Sequence, residues 1–274
     1  MIFDIIKLGE QYPDATLTLF VHDEDTALRP AIVVCPGGGY HFNSVREAEP
    51  IAEFYYTHGM NAYLLNYSVA PYAANYTPLK EVAWAIKYAR ENASAHHNDP
   101  SKIITCGFSA GGHLAASAGI LWNIPEVRDA LGITDGSAPE GINRPDGMIL
   151  SYPVITAGEH AHRGSINNLM GRTDYALEEA DCFSLEKHVD STTPPMFIWH
   201  TATDTCVPVR NTTMLVNTFI ENGLSFEAHI YPFGHHGLSL ANQRTAEGNS
   251  ASINPHVGTW AELSVMWIKD TFKN

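Results

Sequence analysis

Residues Gly107-Phe108-Ser109-Ala110-Gly111-Gly112 constrain this chain more than any other stretch. They follow the apolar run Ile103-Ile104-Thr105-Cys106 and precede the small-residue run His113-Leu114-Ala115-Ala116-Ser117-Ala118. An apolar strand, the pattern G-x-S-x-G and a helix in immediate succession predict a strand-to-helix turn so tight that the serine backbone is strained. Such a turn holds the Ser109 hydroxyl out at the carboxyl end of the strand, at a helix N-terminus. Side chains at positions 107 and 111 would collide with the neighbouring strand and helix, so both must be glycine. The bland alternative is an ordinary glycine-rich β–α turn.

The surrounding pattern supports the sharper reading. Ala31-Ile32-Val33-Val34-Cys35 is a continuous apolar run closed by Pro36-Gly37-Gly38-Gly39. That is how a buried parallel strand reads. Further strands are expected at 61–66, 147–151, 196–200 and 226–231. Helices are expected at about 47–58, from Thr77-Pro78 onward, at about 209–222 and at about 259–272. Thr77 reads as the cap of its helix, and Leu79, Val82, Ala83 and Ile86 share its apolar face. The first 30 residues look like an antiparallel entry, with Thr16–Val21 partly alternating. Alternation of strand and helix predicts an α/β fold, a mostly parallel sheet with helices on both faces. Two stretches break the pattern, about 122–145 and about 156–195. Both are expected to form a small cap or rim on the carboxyl side of the sheet. No repeat and no Gly/Ser- or Pro-rich linker divides the chain, and 274 residues, 45% of them hydrophobic, suit a single domain over 1–274.

The formal net charge is −14. That argues against nucleic acid as a partner and mildly against strongly anionic substrates. The cysteines Cys35, Cys106, Cys182 and Cys206 form no CxxC pair, so neither a disulfide framework nor a zinc site is expected. The first residues have no basic region followed by a long apolar stretch, which predicts a cytoplasmic location without a membrane partner. A homo-oligomer is compatible with this composition.

A serine hydroxyl is a poor nucleophile without a base in reach, and the base needs an orienting acid. Asp204 is the best acid, on a loop directly after the 196–200 strand; Asp174, Asp181 and Asp190 follow no clear strand. The base should lie after the last strand, where Gly234-His235-His236-Gly237 offers two adjacent histidines. Spacing alone leaves the choice between them open. A developing oxyanion needs backbone N–H donors. One is expected from Ala110 and others from the 36–40 turn. That turn lacks the lysine and spacing of nucleotide-binding loops. Tyr40, His41 and Phe42 are candidates to line the substrate pocket, whereas His113 reads as structural. Arg46 and Glu47 read as pairing or capping near the site. His96-His97 and His160-Ala161-His162 read as solvated loops rather than metal ligands.

With these residues in view, the chain resembles the α/β-hydrolase esterases of the acetyl-esterase and acetylxylan-esterase-like group, related to the hormone-sensitive-lipase-type carboxylesterases. The matching pieces are Pro36-Gly37-Gly38-Gly39-Tyr40, Leu65-Asn66-Tyr67-Ser68-Val69-Ala70-Pro71, the Ser109 turn, Thr193-Pro194-Pro195 with the Asp204 loop, and His236-Gly237-Leu238. They span about residues 30 to 240. The resemblance implies an α/β-hydrolase fold and a triad of Ser109, Asp204 and His236. It also implies oxyanion donors at Gly38, Gly39 and Ala110. The implied activity is hydrolysis of small, acetyl-type esters through an acyl-enzyme, with acetylated xylose or xylo-oligosaccharides among the substrates and no metal or other cofactor. Position 36 departs from the pattern: the lipase-like enzymes carry histidine where this chain has proline, which points to the acetyl-esterase-like branch. Two rivals are a peptidase of the prolyl-oligopeptidase type, which would be expected to carry an N-terminal propeller, and a non-catalytic ligand-binding relative.

Overall fold

A computed structural model describes residues 1–134, 136 and 138–273. Asp135 and Ser137, within the 122–145 stretch, and Asn274, the last residue of the expected domain, lie outside the described residues. The strands are β1 (Ile2–Lys7), β2 (Thr16–Val21), β3 (Arg29–Cys35), β4 (Asn61–Asn66), β5 (Asn98–Phe108), β6 (Gly147–Ser151), β7 (Met196–Thr201) and β8 (Phe226–Tyr231). They form one open sheet in the order β1-β2-β4-β3-β5-β6-β7-β8. β1 and β2 join antiparallel, and every pair from β4 to β8 is parallel. The helices are α1 (Glu49–Thr57), α2 (Thr77–Glu91), α3 (Ala93–His96), α4 (Ala110–Ile120), α5 (Pro125–Ala130), α6 (Arg163–Met170), α7 (Arg210–Glu221) and α8 (Pro255–Thr271). This is the expected α/β-hydrolase arrangement.

Two cores arise from the period-2 alternation of the central strands. Ala31, Val33 and Cys35 of β3 face a core shared with α2, α4 and α7, while Ile32 and Val34 face one shared with α1 and α8. Both sides are apolar, which is why β3 reads as a continuous run. Helix α4 is buried along its whole length, so its small residues let it lie close to the sheet. α2 begins at Thr77, but its cap position is Tyr76, in the left-handed region. The Thr77 hydroxyl instead donates to the Ala74 carbonyl at 2.7 Å. α8 starts earlier than its apolar spacing suggests, because the Asn254 side chain caps it by accepting from the Val257 N–H.

The two irregular stretches part company. After β6, α6 lies at the carboxyl ends of the strands, and its N-terminal residues line the cleft at Ser109. The 122–145 stretch does not. It lies at the amino ends, where the Asp146 N–H donates to Ile103, Arg90 donates to the Ile142 and Arg144 carbonyls, and Arg144 donates to the Thr192 carbonyl. The reason is topological. α4 leaves the carboxyl end at Ser109 and carries the chain back across the sheet, so the segment between α4 and β6 is left at the amino end, where β6 begins.

One buried carboxyl braces the carboxyl edge. Glu81 of α2 is fully buried and accepts hydrogen bonds from the Ser68 N–H and hydroxyl. Burial pushes its pKa up to about 7, against the opposing pull of those two bonds. A raised folded-state pKa stabilises below the unfolded value near 4.5, and the benefit is lost as pH rises through about 7. Glu81→Gln, which carries no charge to desolvate, is therefore expected to gain on the wild type by about 3 kcal/mol between pH 4 and pH 8, at roughly 1.36 kcal/mol per pKa unit. Denaturant unfolding of both proteins across that range checks it; parallel pH profiles would contradict it.

Candidate active site

Ser109 is the single residue between β5 and α4, held at φ 54° and ψ −117°. Few non-glycine residues adopt such a backbone, and they do so where packing enforces it. The packing is visible at the flanking glycines. A Cβ on Gly107 would stand 2.0 Å from the Gly111 carbonyl oxygen, and one on Gly111 would stand 2.1 Å from that of Cys35. The Ser109 N–H donates to the Ser151 carbonyl at 2.9 Å, fixing the turn to β6.

The loops after β7 and β8 bring two further groups to this serine. His236 Nε2 lies 2.8 Å from Ser109 Oγ, and His236 Nδ1 lies 2.6 Å from Asp204 Oδ2. Asp204 Oδ1 accepts from the Cys206 and Val207 amides at 2.9 and 3.0 Å. Beneath it, His200 Nε2 sits 2.9 Å from the Val207 carbonyl and 3.3 Å from Asp204 Oδ2. A carbonyl only accepts, so His200 Nε2 carries a proton that it shares with the carboxylate. Burial by itself would raise the Asp204 pKa. The hydrogen bonds from His200 and His236, the electrostatic pull of the neighbouring imidazole and the Val207 amide outweigh it and hold the carboxyl well below the usual range. Asp204 therefore stays ionised and accepts from His236 Nδ1, leaving Nε2 free to accept from the serine hydroxyl.

His235 turns away. Its Nδ1 bonds the His236 carbonyl at 2.7 Å and its Nε2 the Ser252 hydroxyl at 3.2 Å. Asp174, Asp181 and Asp190 make no contact with His236; Asp181 pairs with Lys187 and Asp190 accepts from Thr192.

The turn after β3 faces Ser109 from the other side. Gly38 and Gly39 have φ of +123° and +67°, and a Cβ on Gly38 would stand 2.0 Å from the Phe42 carbonyl oxygen. Among the described residues, no protein acceptor takes the Gly38, Gly39 or Ala110 amides. Glu47 holds this turn: its Oε2 accepts from the Gly37 N–H at 2.9 Å, and its Oε1 accepts from the Tyr152 hydroxyl at 2.6 Å. Tyr152 in turn accepts from the Ser239 N–H and packs edge-on against the His236 ring at 5.0 Å. Arg46 donates to the Gly237 and Thr245 carbonyls. One buried strut thus ties the glycine turn to the histidine loop.

An open cleft of about 450 Å³ runs over these groups, lined by Gly38, Gly39, His41, Phe42, Ser109, His162, Cys206 and His236 among others. A larger cavity of about 700 Å³, between Gln11, Asp14 and the 66–77 loop, contains none of Ser109, Asp204 or His236. Of the three expected pocket residues, His41 and Phe42 line the cleft and are exposed. Tyr40 does not line it. Its ring is buried, and its hydroxyl reaches 2.9 Å to His113 Nδ1 beneath α4. The backbone sets this direction: Tyr40 has φ +56°, which turns its side chain inward while its neighbours face out. His113 completes an interior chain to the Phe183 carbonyl at 3.0 Å, and burial pulls its pKa down to about 4. It is a neutral packing residue.

Sequence reasoning missed His200, Tyr152 and His162 as parts of the site. Only the position of Tyr152 just past β6, at the strands' carboxyl ends, could have flagged one of them. His96 is held by the Tyr63 hydroxyl at 3.0 Å rather than solvated. Among the described residues, no group of three or more His, Cys, Asp and Glu side chains is arranged to hold a metal ion. No helix among them is long and apolar enough to cross a membrane.

The chain is similar to several known proteins. The chain is 38% identical over 242 residues to endo-1,4-beta-xylanase B of Butyrivibrio fibrisolvens, covering 85% of this chain and 36% of that protein. It is 28% identical to the acetylxylan esterase of Xylanibacter ruminicola, covering 77% of this chain and 41% of that one. The chain thus spans well under half the length of these two relatives. Solved structures match over nearly their full length. An acetyl ester-xyloside bifunctional hydrolase from Caldicellulosiruptor lactoaceticus superposes with a TM-score of 0.83 at 32% identity, covering 98% of this chain and 96% of that one. A carboxylesterase from Lactobacillus plantarum gives 0.83 at 29% identity, covering 99% and 98%. The BD-FAE family matches over residues 17–219. With that match across most of its sheet, its elbow serine and its glycine turn, the chain belongs to the BD-FAE family of α/β hydrolases.

Proposed function

We propose that this protein is a serine carboxylesterase acting on small, acetyl-type esters through an acyl-enzyme. The observation that carries the reading is the unbroken hydrogen-bonded line from Ser109 through His236 to Asp204, at 2.8 and 2.6 Å. Ser109 Oγ attacks the ester carbonyl carbon while His236 Nε2 takes its proton. Asp204 holds the imidazole tautomer and stabilises the imidazolium. The tetrahedral oxyanion is met by the Gly38, Gly39 and Ala110 amides, which have no protein acceptor among the described residues to give up. Collapse expels the alcohol, which takes the proton from His236. Water then attacks the acyl-enzyme by the same route and releases the acid.

The xylan-acting relatives favour an acetylated xylose or xylo-oligosaccharide as the ester. The four unpaired thiols suit the cytoplasm, where oligosaccharides rather than polymeric xylan would be the substrate.

A fluorophosphonate probe tests the mechanism, because an activated hydroxyl attacks tetrahedral phosphorus as it attacks a carbonyl. One adduct per chain is expected, mapped to Ser109 and absent from Ser109→Ala. Adducts elsewhere with Ser109 free would rule the mechanism out.

A further inference from the structure

His162 lines the cleft from the rim, and the mechanism does not use it. It is the cap residue of α6, and its side chain accepts from the Ser165 N–H at 3.3 Å. A backbone N–H can only donate, so the ring nitrogen that receives it, Nδ1, carries no proton. The Ser165 hydroxyl, 2.8 Å from the same nitrogen, must also donate to it. The Ser165 N–H is shared between the His162 carbonyl at 3.1 Å and Nδ1 at 3.3 Å, and with Nδ1 accepting from it the neutral ring carries its proton on Nε2. No protein group among the described residues takes that proton. The ring carbon beside it, Cε1, approaches Gly39, where an added Cβ would lie 3.9 Å away. Asn168, further along α6, donates to the Gly39 carbonyl at 2.8 Å and holds the rim against the glycine turn. Burial, reinforced by nearby His236, lowers the pKa of His162 against a smaller pull from Asp204, which favours the neutral donor.

We infer that His162 Nε2–H determines substrate specificity by donating a hydrogen bond to a hydroxyl oxygen on the alcohol part of the ester. The inference rests on the esterase reading above. The carbonyl oxygen already has three backbone donors. An acetyl group offers no other acceptor, and a donor left facing it would lose its partner water with nothing in return. A polyhydroxylated alcohol supplies the acceptor. A site that bonds a hydroxyl in this way discriminates against alcohols that lack one.

The test compares acetylated xylobiose with p-nitrophenyl acetate, whose alcohol has no free hydroxyl. His162→Asn keeps a side-chain oxygen to cap α6 but is too short to carry the donor to the cleft; His162→Ala loses both. In both variants the ratio of kcat/KM for the sugar ester to that for p-nitrophenyl acetate is expected to fall at least tenfold, mainly through KM. The thermal midpoint should fall only in His162→Ala. A ratio unchanged in His162→Asn overturns the inference and leaves His162 as a cap. Equal losses on both esters overturn it in favour of a contact with the shared acyl half. A wild type active on p-nitrophenyl acetate but inactive on the sugar ester overturns it too. A wild type inactive on both esters fails the esterase reading instead.

Discussion

His236→Ala is expected to lower kcat for p-nitrophenyl acetate by roughly 10⁶, to the level of Ser109→Ala. His236 touches both the nucleophile and the acid, so its loss removes proton transfer and the oriented chain together. Members of such a unit are not additive, and losing the serine or the histidine alone in subtilisin costs about as much as losing all three. The expected loss corresponds to about 8 kcal/mol in the barrier. His235→Ala supplies the contrast. Its ring braces the loop through Ser252 and the His236 carbonyl, so about a tenfold loss is expected, near 1.4 kcal/mol. Steady-state rates of the three variants decide it. A dead His235→Ala beside an active His236→Ala would move the base by one residue; activity in both would refute the triad.

The second large effect is expected from Asp204→Asn, a fall in kcat of about 10⁴ by the precedent of the same change in a serine protease triad. The local hydrogen bonds show how it would arise. Asp204 Oδ1 accepts from two backbone amides, Cys206 and Val207, and these can only be met by an oxygen. An asparagine must therefore put its carbonyl there and turn its NH₂ toward His236 Nδ1. That donor forces Nδ1 to accept and moves the imidazole proton to Nε2, where it faces Ser109 and cannot receive another. The fold should survive, since the side chain keeps its shape and its two amide contacts, and the His200 Nε2 proton displaced from Oδ2 keeps the Val207 carbonyl at 2.9 Å. Rates together with imidazole proton NMR check both halves: a normal Nδ1–H resonance, or activity within tenfold of wild type, would contradict the tautomer argument.

Legibility in the sequence tracks the range of the forces involved. The Ser109 elbow is legible because its constraint is local. Gly107 and Gly111 are four residues apart, and a Cβ on Gly107 would meet the Gly111 carbonyl within that one turn; only the Gly111 contact with Cys35 comes from a distant strand, β3. The sheet is legible for a similar reason, since Ala31–Cys35 and Gly147–Ser151 need both faces buried and show it as unbroken apolar runs. Asp204 and the histidine pair are legible as candidates because each follows a strand, and strand ends on one side of a parallel sheet converge. The 122–145 stretch is misplaced by the sequence pattern for want of one topological step, the return of α4 across the sheet.

By itself, then, the sequence determined the α/β order, the elbow and a short list of groups delivered to the carboxyl edge. Only the tertiary structure decided which way those groups point. His235 and His236 share one loop and differ in direction alone. Tyr40 sits between cleft residues yet turns inward to His113. Glu47 finds Tyr152 at a separation of 105 residues, and Tyr152 then supports the His236 ring. His200 carries the buried face of Asp204, and the cap on α6 sets the tautomer of His162. Periodicity and turn sterics act over a few residues, but a loop side chain takes its direction from packing and hydrogen bonds supplied by distant segments. Those partners exist only once the sheet has brought its strand ends together.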